Sequence, residues 1–357
     1  MSTLLVPTDT KDKATDAVTR AVDLLRAGEV VALPTETVYG LGADAFNEAA
    51  VAKIFEVKER PKFDPLIVHL PSADDLSRVA IVPEEIESDI NRLIQEFWPG
   101  PLTLVLPKTD AVPDIVTAGL PTVAVRVSAH PIMRQIVRAL GNPIAAPSAN
   151  RFGRLSPTSA AAVIAELDGL IPLVVNGGAC ASGLESTIIQ VEASGKSKPI
   201  FHVLRAGPII PDQLKPFGKV ILRKSTDRPS SEPQDAPGQL ASHYAPRTPL
   251  RLVENPSDFR PDPNKSYALL SYRGEAKDGY LELVDWAEVA VLTPGSGKQA
   301  EAAVRLFYVL RQLDESGVDE IIAEPMSEVG LGIAMMDRLR RASVKGVDGS
   351  HKESDNP

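Results

Sequence analysis

The chain is poor in the groups on which much enzyme chemistry rests. It has one cysteine in 357 residues, Cys180, so no internal disulfide can form, and the reading suits a reducing compartment. Cys180 stands alone in Gly-Gly-Ala-Cys-Ala-Ser-Gly, the setting of a small buried or loop residue rather than a nucleophile. The five histidines are scattered, and none has metal-ligand spacing to a carboxylate or to the cysteine. There is no Gly-x-Ser-x-Gly elbow and no dinucleotide-binding glycine fingerprint. Gly295-Ser-Gly-Lys298 hints at a phosphate loop, but the first glycine is misplaced and Gln299 stands where a Ser or Thr is needed. No apolar run approaches the length of a membrane span. The N-terminal stretch is charged and lacks a signal h-region, so a cytoplasmic protein is expected. The net charge of −9 argues against a broad binder of nucleic-acid backbones, though it allows a local basic pocket.

What is present is an alternation of helical and strand patterns, long enough for two domains. Apolar residues at helical spacing predict a helix over 15–27, ended by Gly28. A short buried strand follows at 30–33. Asn47 is placed to cap a helix through Val57, leaving Lys58 and Arg60 at its C-terminal end. Strand patterns follow at 66–70, 102–106, 122–127, near 144, and at 173–176, 186–192 and 202–204. Helical ones start at Ser72, run from Pro83 toward Phe97, over 131–140, and to about 167. This mixture predicts an α/β domain over 10–210, a twisted mixed sheet flanked by helices. From about Pro208 the composition shifts; 223–249 is rich in Ser, Pro, Asp and Gln, and 211–248 reads as a linker and closing loop. Strands at 250–253, 267–271, 289–292 and 320–323 with helices at 298–313 and 333–342 predict a smaller, Rossmann-like α/β domain over 249–343. The polar tail, 344–357, is expected to be disordered.

The chemistry lies at the strand ends. The apolar run 30–33 delivers Pro34-Thr-Glu-Thr-Val-Tyr-Gly-Leu-Gly, two hydroxyls and a carboxylate entering a Gly-rich turn. Then comes Lys58-Glu-Arg-Pro, and after it Pro65-Leu-Ile-Val-His69. Lys acts as a point charge on a phosphate and Arg binds two oxygens at once, so this is how a polyanion site is built. Taken singly, each piece has a plain reading: a polar strand boundary, a solvated helix end, a core histidine. Both cations are expected to be partly exposed. In Thr122-Val-Ala-Val-Arg126 a period of two puts Thr122, Ala124 and Arg126 on one face. Ser148-Ala-Asn150, Ser156, Glu185-Ser-Thr-Ile, Leu204-Arg-Ala-Gly and His243-Tyr-Ala-Pro follow in order.

Together these motifs resemble the YrdC/Sua5 threonylcarbamoyl-adenylate synthases over roughly residues 10–345. The segment ending in His243-Tyr-Ala-Pro resembles the interdomain motif of the two-domain Sua5 branch, with Leu240 and Ser242 where that motif has lysines. Asp64 stands where many members have Asn. The resemblance implies ATP binding by Lys58, Arg60, Asp64, Thr122, Ser148, Asn150, Ser156, Arg205 and Tyr244, with Lys58 and Arg60 catalytic and no protein metal ligands. It implies L-threonine binding by Thr35, Thr37, His69, Arg126, Ala146 and Ser186. The implied reaction joins L-threonine, bicarbonate (or CO2) and ATP into threonylcarbamoyl-AMP, with diphosphate and water released. Mg²⁺ would ride on the phosphates, and a transferase complex acting on tRNA would take the product. Tyr244 would close over the nucleotide from a loop mobile without ligand. A nucleotide-gated RNA-binding module is the rival from another class, and the acidic total counts against it. A relative starting from carbamoyl phosphate is a rival enzyme. Such relatives usually carry extra acylphosphatase and zinc-finger-like modules, which this chain lacks. Threonine-dependent diphosphate release separates the three.

Overall fold

The computed structural model describes residues 2–61, 63–195, 197–223, 237 and 243–344. Apart from Pro237, residues 224–242 of the expected linker lie outside the described residues, as do 345–357 of the expected tail. Leu240 and Ser242 are among them.

The chain opens on β1 (Leu4–Pro7) and α1 (Lys11–Arg26), where the Thr10 hydroxyl accepts the Lys13 amide as N-cap. Then come β2 (Val31–Leu33), β3 (Gly40–Asp44), α2 (Glu48–Lys58), β4 (Ile67–His69), α3 (Glu87–Phe97), β5 (Leu102–Pro107), the single turn α4 (Asp114–Thr117) and β6 (Thr122–Arg126). They are followed by α5 (Pro131–Leu140), β7 (Ile144–Ala145), α6 (Ala160–Leu167), β8 (Leu173–Asn176), β9 (Thr187–Glu192), β10 (Ile200–Arg205), the short α7 (Pro211–Leu214) and β11 (Lys219–Leu222). The strands form one mixed sheet in the order β1-β8-β2-β3-β7-β4-β6-β5-β9-β10-β11. α1 and α5 bury Leu25, Ile136 and Val137 against one face; α2, α3 and α6 bury Ile54, Leu93 and Val163 against the other. Helices on both faces are the expected α/β arrangement.

The stretch read as a Gly-rich turn is partly a strand. β3 pairs antiparallel with β2 and with β7. Its glycines hide it from propensity, and packing is the reason they are there. A Cβ on Gly42 would sit 2.9 Å from both Ile144 Cγ2 and Leu33 Cδ1. The helical pattern expected from Ser72 is a 3-10 turn, Ala73–Arg78. β1 and β11 were not expected. They are edge strands with few buried residues, so no alternation marks them.

The second domain is a parallel sheet in the order β12 (Leu250–Leu252), β15 (Glu320–Ala323), β13 (Tyr267–Ser271), β14 (Glu288–Val291). α8 (Gln299–Asp314) and α9 (Gly332–Ser343) cover one face. Among the described residues the other face carries no α-helix, only the 3-10 turns Pro256–Asp258 and Ala276–Asp278, and is covered by Phe259 and Tyr280 with Trp286, whose ring stacks on Phe259 at 6.0 Å. Pro261 and Pro263 stand just past the first of these turns, where a longer helix would have to continue. The two domains share a core: Leu155 and Leu184 of the first pack with Leu306 and Phe307 of the second. Gly183 lies directly on α8, where a Cβ would meet Val304 Cα at 2.4 Å.

Candidate active site

Three strand ends build one wall. β4 runs parallel to β6 with His69 opposite Arg126, and the Ala146 amide after β7 donates to the Ile67 carbonyl at 2.9 Å. The period-two reading of β6 holds, since Val123 and Val125 enter the main core while Ala124 joins Ile67, Ile188 and Leu204 on the opposite face. Arg126, on that face, is buried and fully directed. Its Nη1 donates to Thr37 Oγ1 at 2.9 Å, its Nε to the Gly100 carbonyl at 3.2 Å, and its Nη2 lies 2.5 Å from Glu36 Oε1. The Thr35 hydroxyl donates to the Val38 carbonyl at 2.6 Å and lies 2.8 Å from the Thr37 hydroxyl. These bonds hold the turn between β2 and β3. Burial works against the Glu36 charge, but Arg126 and the Ser128 hydroxyl outweigh it, and the carboxyl is held down at about 2. Burial, with Arg126 beside it, lowers the His69 imidazole to about 3, so His69 is neutral. Its Nδ1 is buried with no hydrogen-bond partner among the described residues.

The cations of the hook are not partly exposed, as the sequence suggested; Lys58 is 1% and Arg60 7% exposed. Lys58 is the last residue of α2 and points into the protein. Its ammonium donates to the Ser148 carbonyl at 2.6 Å and to the Asn150 carbonyl, tying α2 to the Ser-Ala-Asn turn. Glu59 takes a left-handed φ of 53°, which ends the helix and redirects the chain. Arg60 then meets Asp64 at 2.9 Å and donates to the Asp64 and Pro65 carbonyls at 3.2 and 2.9 Å. The Asp64 side chain is fully buried against a cation. Burial pushes its carboxyl up, against the pull of Arg60 and Lys58.

The third wall comes from the chain around β9 and β10 and from the interdomain segment. Arg205 Nη2 donates to Ser186 Oγ at 3.0 Å, its Nε to the Ser186 carbonyl at 3.1 Å and its Nη1 to the Pro237 carbonyl at 3.2 Å. The Ser186 hydroxyl also lies 2.7 Å from that of Thr103. Ser156 donates to Glu185. Tyr244, expected on a loop that is mobile without ligand, is a core residue of the shared seam, 1% exposed. It has a left-handed φ of 64°, with its ring edge-on to His243 at 4.2 Å.

These walls surround a narrow, partly open cleft with about 50 Å³ of accessible space in this conformation. Thr35, Thr37, Arg60, His69, Arg126, Ala146, Ser148, Ser186, Arg205 and Tyr244 line it. Lys58, Asp64, Asn150 and Ser156 stand behind that lining, reaching it through Ser148, Arg60 and Glu185. Thr122 lies at the far end of β6 from Arg126 and does not line the cleft. The sequence reading assigned no role to Glu36, Ser128 or Thr103, nor to the cleft-lining Glu185 and His243, although Glu36, Glu185 and His243 stood inside the quoted motifs. Among the described residues no three His, Cys, Asp or Glu are grouped to hold a metal, and no helix is long and apolar enough to cross a membrane.

Residues 23–207 match the Sua5/YciO/YrdC sequence profile, described as telomere recombination, and residues 209–344 match the profile described as threonylcarbamoyl-AMP synthase, C-terminal domain. The chain is 41% identical over 325 residues to the threonylcarbamoyl-AMP synthase of Pyrococcus abyssi, covering 90% of this chain and 93% of the relative. It is 40% identical over 335 residues to that of Bacillus subtilis, covering 91% and 92%. It superposes on the crystal structure of P. abyssi Sua5 complexed with L-threonine with a TM-score of 0.80 at 36% identity, covering 96% of this chain and 98% of that one. The ordered motifs, the two-domain fold and these similarities agree, and the chain belongs to the Sua5/YciO/YrdC family in its two-domain, Sua5-type form.

Proposed function

We infer that the chain is a nucleotidyltransferase that makes L-threonylcarbamoyl-AMP from L-threonine, bicarbonate and ATP, releasing diphosphate and water. The observation that carries this reading is the set of cations brought to one cleft. A buried Arg126 sits beside the Thr37 hydroxyl and the neutral His69, and Arg60 and Arg205 line the same cleft with the Ser148 turn. The first group suits an amino-acid carboxylate with a hydroxyl side chain, and the second a triphosphate.

The chemistry needs positioning more than a protein nucleophile. The threonine amine and bicarbonate give a carbamate and water. A carbamate oxygen then attacks the α-phosphorus, the α–β anhydride bond breaks, and diphosphate leaves with its electron pair. Arg126 would hold the threonine carboxylate, with Thr35 and Thr37 shaping that part of the cleft and His69, Ala146 and Ser186 closing it. Arg60 and Arg205 would offset phosphate charge. Lys58, paired to two carbonyls, would act chiefly by fixing the Ser148-Asn150 turn. Asp64, held by Arg60, would set that guanidinium rather than touch ATP itself. Ser156 would act through Glu185, and Thr122 at most at the outer edge of the nucleotide. Mg²⁺ would enter as MgATP and offset charge on the phosphates. The acids at the cleft, Glu36, Asp64 and Glu185, are each engaged by an arginine, which fits a metal carried by the substrate. The product is an activated acyl phosphate, suited to a cytosolic transferase complex that acylates tRNA for threonylcarbamoyladenosine.

The test is incubation with ATP, Mg²⁺, bicarbonate and single amino acids, read as diphosphate release and by mass spectrometry of the adenylate. L-threonine should support turnover, with at most some leakage to serine. A site built to hydrogen-bond a hydroxyl discriminates strongly against analogues lacking it. Equal diphosphate release with valine would overturn the amino-acid assignment.

A further inference from the structure

Arg338 is a buried arginine of the second domain, 1% exposed, on α9. Its Nε donates to Glu185 Oε2 of the first domain at 3.0 Å, and its Nη1 to its neighbour Asp337 at 3.0 Å. Its guanidinium carbon lies 5.2 Å from the centre of the Tyr244 ring. Of these, Glu185 and Tyr244 line the cleft. Glu185 accepts the Ser156 hydroxyl on its other oxygen and directly precedes Ser186, the residue that Arg205 grips through both side chain and carbonyl. One guanidinium thus touches the carboxylate behind one wall of the cleft and the aromatic ring that forms another.

Stability alone is a poor reason for such a group. A buried ion pair returns little over an apolar replacement of similar size, because both charges lose their water. What the arrangement does supply is direction: one N–H of a guanidinium held by Asp337 fixes the Glu185 carboxylate, and the same cation sits over the Tyr244 ring. We propose that Arg338 is a positioning residue through which the second domain sets the geometry of the nucleotide-binding part of the site, acting on Ser156 through Glu185 and on Tyr244 directly. This rests on the functional reading above.

A second interdomain ion pair gives the control. Arg311 of α8 bonds Glu166 and the Leu155 carbonyl, both at 2.9 Å, and neither it nor Glu166 lines the cleft. The experiment compares full-length Arg338→Met, Arg338→Lys and Arg311→Met with the wild type. It measures kcat and KM for ATP and threonine by diphosphate release, Kd for ATP alone by calorimetry, and melting temperature. Arg338→Met should lower kcat/KM for ATP by about tenfold or more, the scale of a misplaced catalytic wall, and weaken ATP binding. Arg338→Lys, which keeps the charge but not the planar fork, should recover part of that loss. Arg311→Met should lower the melting temperature and leave kcat/KM unchanged. Wild-type kinetics and ATP affinity in Arg338→Met, with only a lowered melting temperature, would reduce Arg338 to a structural clamp and overturn the proposal. Equal kinetic loss in Arg311→Met would also overturn it, since domain contact in general would then be the cause. Failure of the wild type to make any adenylate would overturn the functional reading instead, with the ATP affinities still reporting on Arg338.

Discussion

At the scale of single residues, two buried groups fix how the protein responds to acid. Glu36 stays charged in the folded chain down to about pH 2, against 4.5 for the free group. Between those values the folded state binds fewer protons than the unfolded one. The carboxylate's contribution, about 3 kcal/mol, is full above pH 4.5 and is lost as pH falls toward 2. His69 has the same sign from a different cause. Burial holds the folded imidazole neutral down to about 3, while an unfolded one takes up a proton near 6.5. Burial lowers His130 and His243 too. Stability should therefore begin to fall below pH 6.5, before the carboxylates titrate. Urea midpoints measured across pH should decline in that range, and less steeply in His69→Gln. A wild-type midpoint that stays flat from pH 6.5 down to 4.5 would show that these imidazoles are not held neutral.

At the scale of elements, the end of α2 is the piece whose role changed most on folding. A Lys at a helix C-terminus is ordinarily a solvated cation favoured by the helix dipole. Here it turns inward and spends its charge on the Ser148 and Asn150 carbonyls. Replacing a solvated lysine that acts only on substrate would remove turnover and leave melting untouched. The buried contacts change that expectation. Lys58→Met keeps most of the stem but leaves two carbonyls of the Ser-Ala-Asn turn without their donor, at roughly 1.5–3 kcal/mol for each charged hydrogen bond. Melting temperature and turnover should fall together, because one ammonium holds both the helix end and the cleft wall. Native melting with turnover lost would restore Lys58 to a role on substrate alone.

At the scale of the whole molecule, the second domain backs the candidate active site, packing behind residues that line it. α8 lies against the backbone just before the Glu185-Ser186 segment, and the contact requires Gly183 twice over. Its φ is +68°, and a Cβ would press on the α8 backbone. Backbone cannot rotate away as a side chain can. Gly183→Val should force the domains apart, costing about 1–3 kcal/mol as overpacking does. It should also weaken ATP binding, although residue 183 does not line the cleft. Calorimetry should show a broadened or split unfolding transition. One sharp transition at the wild-type temperature, with ATP affinity intact, would show that the contact carries no coupling.

Much of this protein was legible in its sequence. Helix α5 could be placed to the residue, the Asn47 cap was visible, and the alternation in β6 put Arg126 on the right face. The cleft residues could be named because each sits in a short motif at a strand end, where local chain chemistry is distinctive. What stayed hidden depended on distance along the chain. β3 is strand only because β2 and β7 close around glycines that by themselves favour a turn. The burial of Lys58 depends on carbonyls 90 and 92 residues away. Arg338 carried no signal beyond a basic helix, since its partner Glu185 lies 153 residues earlier. Pattern and motif are set by neighbours in sequence, so the sequence by itself determined the elements and the chemical inventory of the site. Desolvation and the pairing of charges are set by neighbours in space, so only the tertiary structure decided which cations face the cleft, which hold it from behind, and that a second domain packs against its lining.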